Sequence, residues 1–314
     1  MKAIAYQSFG NVDVLRTVEV PTPTLRAGEV LVRVKAVSIN PMDWKIRKGE
    51  MKLMSGSKFP RHLGVDFAGI VERTSGAVTG LKEGDAVFGV VKNAMKDGAL
   101  SEYVAVPANL LWKKPTHLSF AQAASLPIVG TAAVTALHKM GNLTAQSSVL
   151  VNGATGGFGM LLLQLLQRTD AQVTAVAGPD TLPYATRWGA DTVIDYAKED
   201  VLQGTARYDV VVDLSGKLPY ARAKRIMKSR ARFLNATPQP IEIPTSLLLN
   251  PFRGKKHVVV LGSTSRENMR VLLDAVDAGL DVTVSRVFPF SHAVAAYRYA
   301  ERGGVAGKVA IELP

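Results

Sequence analysis

The stretch with the clearest chemical meaning is Asn152-Gly153-Ala154-Thr155-Gly156-Gly157-Phe158-Gly159, which follows the apolar run 148–151 and leads into the apolar segment 160–166. Small residues let a backbone turn tightly and approach a pyrophosphate. The unpaired N–H groups and positive end of the following helix then stabilise its negative charge. Ala154, Gly156 and Gly159 match the spacing of the dinucleotide fingerprint, with alanine in the first slot. A strand, this turn and a helix in succession predict a dinucleotide site.

The choice of dinucleotide depends on the end of the next strand, where NAD enzymes place an acidic residue against the ribose hydroxyls. That segment is 175–180, and the slot falls on Ala177 or Gly178, which leaves room for a 2′-phosphate and favours NADPH. Asp180 lies two or three residues further on and would repel the phosphate, whereas Arg187, Tyr196 and Lys198 could reach it.

Other chemistries are excluded by composition. With no cysteine in 314 residues, disulfides, thiolate catalysis and cysteine-based zinc sites are absent. The five histidines (His62, His117, His138, His257 and His292) lack metal-ligand spacing, so no metal site is expected. The net charge of +12 is compatible with a polyanionic partner. Its densest cluster is Lys217, Arg222, Lys224, Arg225, Lys228, Arg230 and Arg232, with Tyr220 the one aromatic residue inside it. Lacking stacking platforms, it reads as a solvated helix face, and no nucleic acid is expected. No apolar run is long enough to span a bilayer and the first residues do not resemble a signal peptide, so a cytoplasmic location is expected.

The chain is long enough for two domains, and 47% apolar residues can fill two cores. Its first third shows strand-like alternation over 30–37, punctuated by Pro21, Pro23, Gly28, Pro41 and further turn residues, as in a compact β-rich domain. Ser119 is placed to cap a helix over 120–124. Beyond Ser147, apolar runs at 149–151, 173–176, 192–194, 209–212, 233–234 and 257–261 are separated by helix-length spacers. This alternation predicts an α/β fold with a six-strand, doubly wound parallel sheet. The tail carries a helical pattern over 268–276 and a last strand over 308–312.

Several segments then extend the pattern over nearly the whole length: 38–43 with Arg47 and Gly49, Gly64-Val65-Asp66-Phe67-Ala68-Gly69, Gly84-Asp85-Ala86-Val87-Phe88-Gly89, 98–103, 189–196, 208–213 and Gly307-Lys308-Val309. On these the sequence resembles the zinc-independent quinone oxidoreductase and alkenal/enone reductase branch of the medium-chain dehydrogenase/reductase superfamily. The resemblance implies a GroES-like catalytic domain over 1–123, completed by 264–314, and a Rossmann NADP-binding domain over 124–263.

Zinc alcohol dehydrogenases of that superfamily use a cysteine at the position of Asn40 and a histidine near Gly64, and both ligands are missing here. Without a Lewis acid, reduction of a simple carbonyl is harder, whereas a conjugated acceptor spreads the developing charge and needs only hydrogen-bond donors. The resemblance therefore implies NADPH-driven reduction of a quinone or an α,β-unsaturated carbonyl.

Asn40 would be the catalytic contact in the cleft, with Asp43 and Arg47 holding its loop as a structural ion pair. The cofactor set implied comprises Thr131, Gly153, Ala154, Thr155, Gly156, Gly157, Phe158, Gly159, Gly178, Tyr196, Ser215, Thr237, Gly262, Ser263 and Lys308. Relatives often carry threonine where this chain has Ala132, which leaves the Thr131 contact open by one residue. No side chain is an evident general acid, so the proton is expected from water. A homodimer is a candidate assembly. The competing reading is a non-catalytic NADPH-binding protein whose basic surface engages RNA or an anionic membrane.

Overall fold

The computed structural model of the chain describes every residue except Ala77 and Ser263. The chain forms two compact units, one made of 1–128, 284–303 and 308–314 and the other of 129–283 and 304–307. The divisions expected from the sequence fall at 123/124 and 263/264.

The first unit is built mainly from β1 (Lys2–Tyr6), β2 (Arg16–Glu19), β3 (Glu29–Ser38), β4 (Arg61–His62), β5 (Asp66–Thr74), β6 (Ala86–Val90), β7 (Tyr103–Pro107) and β8 (Leu111–Lys113). Short helices α1 (Pro41–Arg47), α2 (Lys52–Ser55) and α3 (Phe120–Ala124) interrupt them. Alternation along β3 has the expected consequence: Val30, Val32 and Val34 are buried while Arg33 and Lys35 are only partly covered. Ser119 caps α3 as the sequence suggests, its hydroxyl accepting from the Gln122 amide while the Gln122 side chain accepts from the Ser119 amide.

The second unit starts within α4 (Pro127–Met140) and continues through β9 (Ser148–Asn152), α5 (Gly157–Leu166), β10 (Gln172–Ala177), α6 (Leu182–Arg187), β11 (Thr192–Asp195), β12 (Tyr208–Asp213), α7 (Tyr220–Ala223), β13 (Met227–Asn235), α8 (Glu242–Leu249), β14 (Lys256–Val259) and α9 (Arg266–Asp277). Its six strands are all parallel, in the order β11-β10-β9-β12-β13-β14. This is the doubly wound arrangement, with its order reversing between β9 and β12. Leu150, Val211 and Phe233 are buried at the middle of the sheet. Helix α5 is buried from Gly159 almost to its end, which is why its sequence is apolar all round.

Two expectations change here. The basic run is not one helix face: α7 stops at Ala223, and Lys228, Arg230 and Arg232 lie on β13. β-Branched periodicity is absent from that strand's first half, so the apolar signal marked only its buried end. In addition, α9 belongs to the second unit. The chain then returns to the first unit with β15 (Val284–Pro289), α10 (Ala293–Glu301) and β16 (Lys308–Glu312). There β16 pairs antiparallel with β3 and parallel with β15 in a seven-stranded sheet.

Candidate functional site

In the second unit, the glycine-rich turn leaves β9 where the strand order reverses, the place where open parallel sheets bind ligands. Gly153 begins it with φ +80°, a left-handed conformation that glycine adopts without strain. A Cβ on Gly159 would stand 2.8 Å from Ala154 Cα and closer still to its carbonyl, so only glycine lets α5 pack this tightly against the turn. Gly156 is different: nothing lies nearer to its missing Cβ than the Gly153 carbonyl at 3.9 Å. The open side of the turn thus presents the first backbone N–H groups of α5, from Gly157, Phe158 and Gly159.

The strand ends around this turn are fixed by a polar network. The Asn152 amide donates to Asp213 Oδ1 and Ser215 Oγ, both at 2.9 Å, and the Ser215 hydroxyl donates to Asp213 Oδ1 at 2.8 Å. Thr237 adjoins this loop, its Oγ1 standing 3.0 Å from where a Cβ of Gly216 would be. On the opposite side, the hydroxyls of Thr155 and Thr181 lie 2.8 Å apart, and the Gly307 amide donates to the Thr155 carbonyl at 2.8 Å. Gly153, Thr155, Gly156, Ser215 and Thr237 therefore gather beyond the carboxyl ends of the inner strands β9, β12 and β13.

At the end of β10, Gly178 faces the Tyr196 ring, whose hydroxyl would stand 2.8 Å from a Cβ on Gly178. Tyr196 is 60% exposed. Asp180 and Lys198 are also exposed, while Arg187 is engaged by Asp281 at 3.1 Å. Gly262 is exposed just beyond β14, and Ser263 lies outside the described residues. Thr131 is wholly buried in α4, and its carbonyl accepts from the Thr135 hydroxyl.

The first unit contains a different kind of site, a buried polar cluster around Asn40. Asn40 is the residue before α1 and is 2% exposed. Its backbone N–H donates to Asp43 Oδ2 at 2.8 Å, and its Nδ2 donates to Asp66 Oδ2 at 3.0 Å. The Lys308 ammonium donates to Asn40 Oδ1 at 2.7 Å and to the Ile39 carbonyl at 2.9 Å. The other oxygen of Asp66 accepts from the Ile128 amide at 3.2 Å.

Burial governs the charges of this cluster. It pushes the Asp66 carboxyl up to about 7, although Lys308 and Asn40 favour its charged form. It pushes Asp43 up to about 6 against the hydrogen bond from Asn40 and the charge of Lys308. The Lys308 ammonium is lowered by the same burial, with Asp66 and Asp43 opposing that shift.

Two sequence expectations are altered here. Asp43 and Arg47 do not form the expected pair. Arg47 reaches Glu301 at 2.6 Å instead, because its long side chain crosses to α10 while Asp43 turns back onto the Asn40 amide. Lys308, assigned to the cofactor, has its ammonium buried on Ile39 and Asn40. Asp66 was absent from the candidates, yet a carboxylate opening the apolar run Asp66-Phe67-Ala68-Gly69-Ile70-Val71 is a readable sign, since such groups are seldom fully buried unless paired.

Zinc does not fit this cluster. The donor set around Asn40 is two carboxylates and an amide, with the Lys308 ammonium already on the amide oxygen where a cation would bind. Among the described residues no group of three histidine, aspartate or glutamate side chains is placed to hold a metal ion. Also among them, no helix is long and apolar enough to cross a membrane. The basic run is partly occupied internally: Lys228 pairs with Asp209 at 2.7 Å, Arg232 donates to the Lys139 carbonyl, and Lys224 lies over the Tyr220 ring.

Comparison with known proteins agrees with this architecture. The family model described as alcohol dehydrogenase GroES-like domain matches residues 26–116, and that described as zinc-binding dehydrogenase matches 188–311. The chain is 30% identical to the chloroplast envelope quinone oxidoreductase homolog of Arabidopsis thaliana, covering 99% of this chain and 98% of that protein. It is 32% identical to the chloroplastic NADPH-dependent alkenal/one oxidoreductase of the same plant, covering 99% and 79%. The solved quinone oxidoreductase of Coxiella burnetii superposes with a TM-score of 0.90 at 30% identity, covering 100% of this chain and 99% of that one. The chain belongs to the medium-chain dehydrogenase/reductase superfamily, in its quinone oxidoreductase and alkenal/enone reductase branch, and is an oxidoreductase.

Proposed function

We propose that the protein is a zinc-independent, NADPH-dependent reductase of quinones or α,β-unsaturated carbonyls, in which Asn40 supplies the hydrogen bond that stabilises the developing oxyanion. The observation that carries this reading is the state of the Asn40 amide. Its oxygen accepts from an ammonium and one Nδ2 hydrogen is given to Asp66, which leaves the second N–H as its remaining donor. A neutral donor suits an acceptor that spreads charge over a conjugated system, and it is a weak substitute for a Lewis acid on a simple ketone.

The second unit is assigned the dinucleotide. Bound NADPH supplies the hydride. The N–H groups at the start of α5 take the pyrophosphate, and Ser215 and Thr237 line the dinucleotide along the strand ends. No acidic side chain stands at Gly178 to oppose a 2′-phosphate, which the exposed Tyr196 and Lys198 receive, a reading supported by the alkenal/one oxidoreductase relative named for NADPH. The first unit supplies Asn40, and water supplies the proton that completes reduction of the acceptor.

The direct test is oxidation of NADPH and of NADH by the purified protein, monitored at saturating quinone and at saturating α,β-unsaturated aldehyde or ketone. Faster turnover of NADPH with at least one of these acceptors is expected. Failure to bind either nucleotide would remove the proposal.

A further inference from the structure

We infer that Lys308 and Asp66 are positioning residues that lock the Asn40 carboxamide in one orientation and leave one Nδ2 hydrogen free to donate to a substrate oxygen. The inference rests on the reductase reading of Asn40. Its evidence is the geometry of three residues far apart in sequence, two of them charged and all almost fully buried.

An asparagine amide can be rotated by half a turn with almost no change of shape, so its direction is decided by its neighbours. Lys308 decides it here. An ammonium has donors and no acceptor, and it stands 2.7 Å from one end of the amide. Only the oxygen can occupy that end. Rotation would put an NH2 group against an ammonium and leave Asn40 Oδ1 3.0 Å from a carboxylate oxygen of Asp66. Both contacts would turn from attractive to repulsive when Asp66 is ionised. When Asp66 is protonated, the contact with Lys308 alone still selects the same orientation.

The supports are themselves fixed. Lys308 is 4% exposed and its ammonium is held a second time by the Ile39 carbonyl. Asp66 is wholly buried at the start of β5, with its other oxygen on the Ile128 amide. Asp43 holds the Asn40 backbone through its N–H, so the side chain swings from a fixed base. Of the two Nδ2 hydrogens, one is used by Asp66. The second is the hydrogen assigned to the substrate oxygen.

Stability alone is a poor reason for such a cluster, because a buried ion pair is often no more stabilising than apolar residues of the same volume. Orientation of a reacting group gives it a purpose, since a donor helps only when it meets the oxygen where charge develops.

The test is a double-mutant cycle on steady-state kinetics with NADPH and an α,β-unsaturated ketone, comparing wild type, Asn40→Ala, Lys308→Met and the double variant. Methionine keeps an apolar stem and removes the ammonium. Each single variant is expected to lower kcat about 100- to 1,000-fold, the scale of losing one oxyanion donor, with the NADPH dissociation constant unchanged. The double variant is expected to be within about twofold of Asn40→Ala, because Lys308 acts only through that amide. Multiplied losses in the double variant, or an unchanged kcat in Lys308→Met, would overturn the inference.

A second readout does not need turnover. The Asn40 side-chain amide, assigned by its disappearance in Asn40→Ala, is expected to give one sharp pair of proton–nitrogen NMR signals in wild type and exchange-broadened or doubled signals in Lys308→Met. Unchanged signals would also overturn it. If Lys308→Met does not fold, Lys308→Gln, which keeps a neutral donor, is read in its place: it should retain the sharp pair and more activity than Asn40→Ala, and broadened signals in it would count against the inference. A wild-type protein that reduces no acceptor would sink the reductase reading, while the NMR result would still decide the orientation.

Discussion

Replacing Asp66 by asparagine should change how stability depends on pH, and the change can be worked from the structure. The carboxyl has an ordinary value of 3.8 and is pushed to about 7 by burial. Between those values the folded protein holds a proton that the unfolded chain has released. The folded state therefore binds more protons, and stability falls as pH rises. The Asp66 contribution is fully present below about pH 4 and lost as pH passes through about 7. A difference of about three pH units corresponds to about 4 kcal/mol, at about 1.4 kcal/mol for each unit.

Other groups titrate in the same range. Asp43 acts in the same direction, whereas His62 and His257, whose basicity is lowered by burial, act in the opposite one. These are shared by the two proteins and largely cancel in a difference curve. Urea unfolding of wild type and Asp66→Asn at intervals from pH 5 to pH 8 should show the variant gaining about 2 to 3 kcal/mol on wild type across that range. Parallel curves, or a wild type that gains on the variant with rising pH, would refute a buried, protonatable Asp66.

Two predictions concern the dinucleotide turn. Gly178→Asp sets a carboxylate against the exposed Tyr196 ring proposed to receive the 2′-phosphate, and should weaken NADPH about 10- to 100-fold while leaving NADH within about threefold, read as the ratio of their KM values. Gly159→Ala sets a Cβ inside van der Waals contact of the rigid Ala154 backbone, and should lower unfolding free energy by about 1 to 3 kcal/mol and abolish saturable NADPH binding, measured by thermal unfolding with and without nucleotide.

The dinucleotide unit was readable because its determinants are local. Tight turning at Gly153, close packing at Gly159 and the six apolar strands each leave their mark within a few consecutive residues. The Asn40 cluster was not, because its partners lie 26 and 268 residues away, where no periodicity connects them. Lys308 shows the difficulty well. A lysine opening a strand is most often exposed, and only antiparallel pairing of β16 with the end of β3 brings it beneath Asn40. Arg47 failed for a similar reason: Asp43 is four residues away on the same helix, yet Glu301 on α10 is the acceptor it meets. The strand carrying Lys228 and Arg230 was missed where its exposed polar residues break the apolar pattern.

The two units thus solve the same electrostatic problem by opposite means. Around the dinucleotide turn, negative charge is to be met by backbone N–H groups, whose positions are set by the fold and which glycine leaves uncovered. Around Asn40, the Lys308 ammonium is held one residue behind the group proposed to meet the substrate. A hydrogen bond from the Lys308 ammonium to Asn40 Oδ1 draws electron density from the amide and makes its remaining N–H a stronger donor, as linked hydrogen bonds strengthen one another. The ammonium achieves this from a buried position, with its own bonds fixed by Ile39 and Asn40. A neutral donor backed by a buried cation is weaker than a metal and needs an acceptor able to share the incoming charge, which is why the role proposed for Asn40 calls for conjugated substrates over simple ketones.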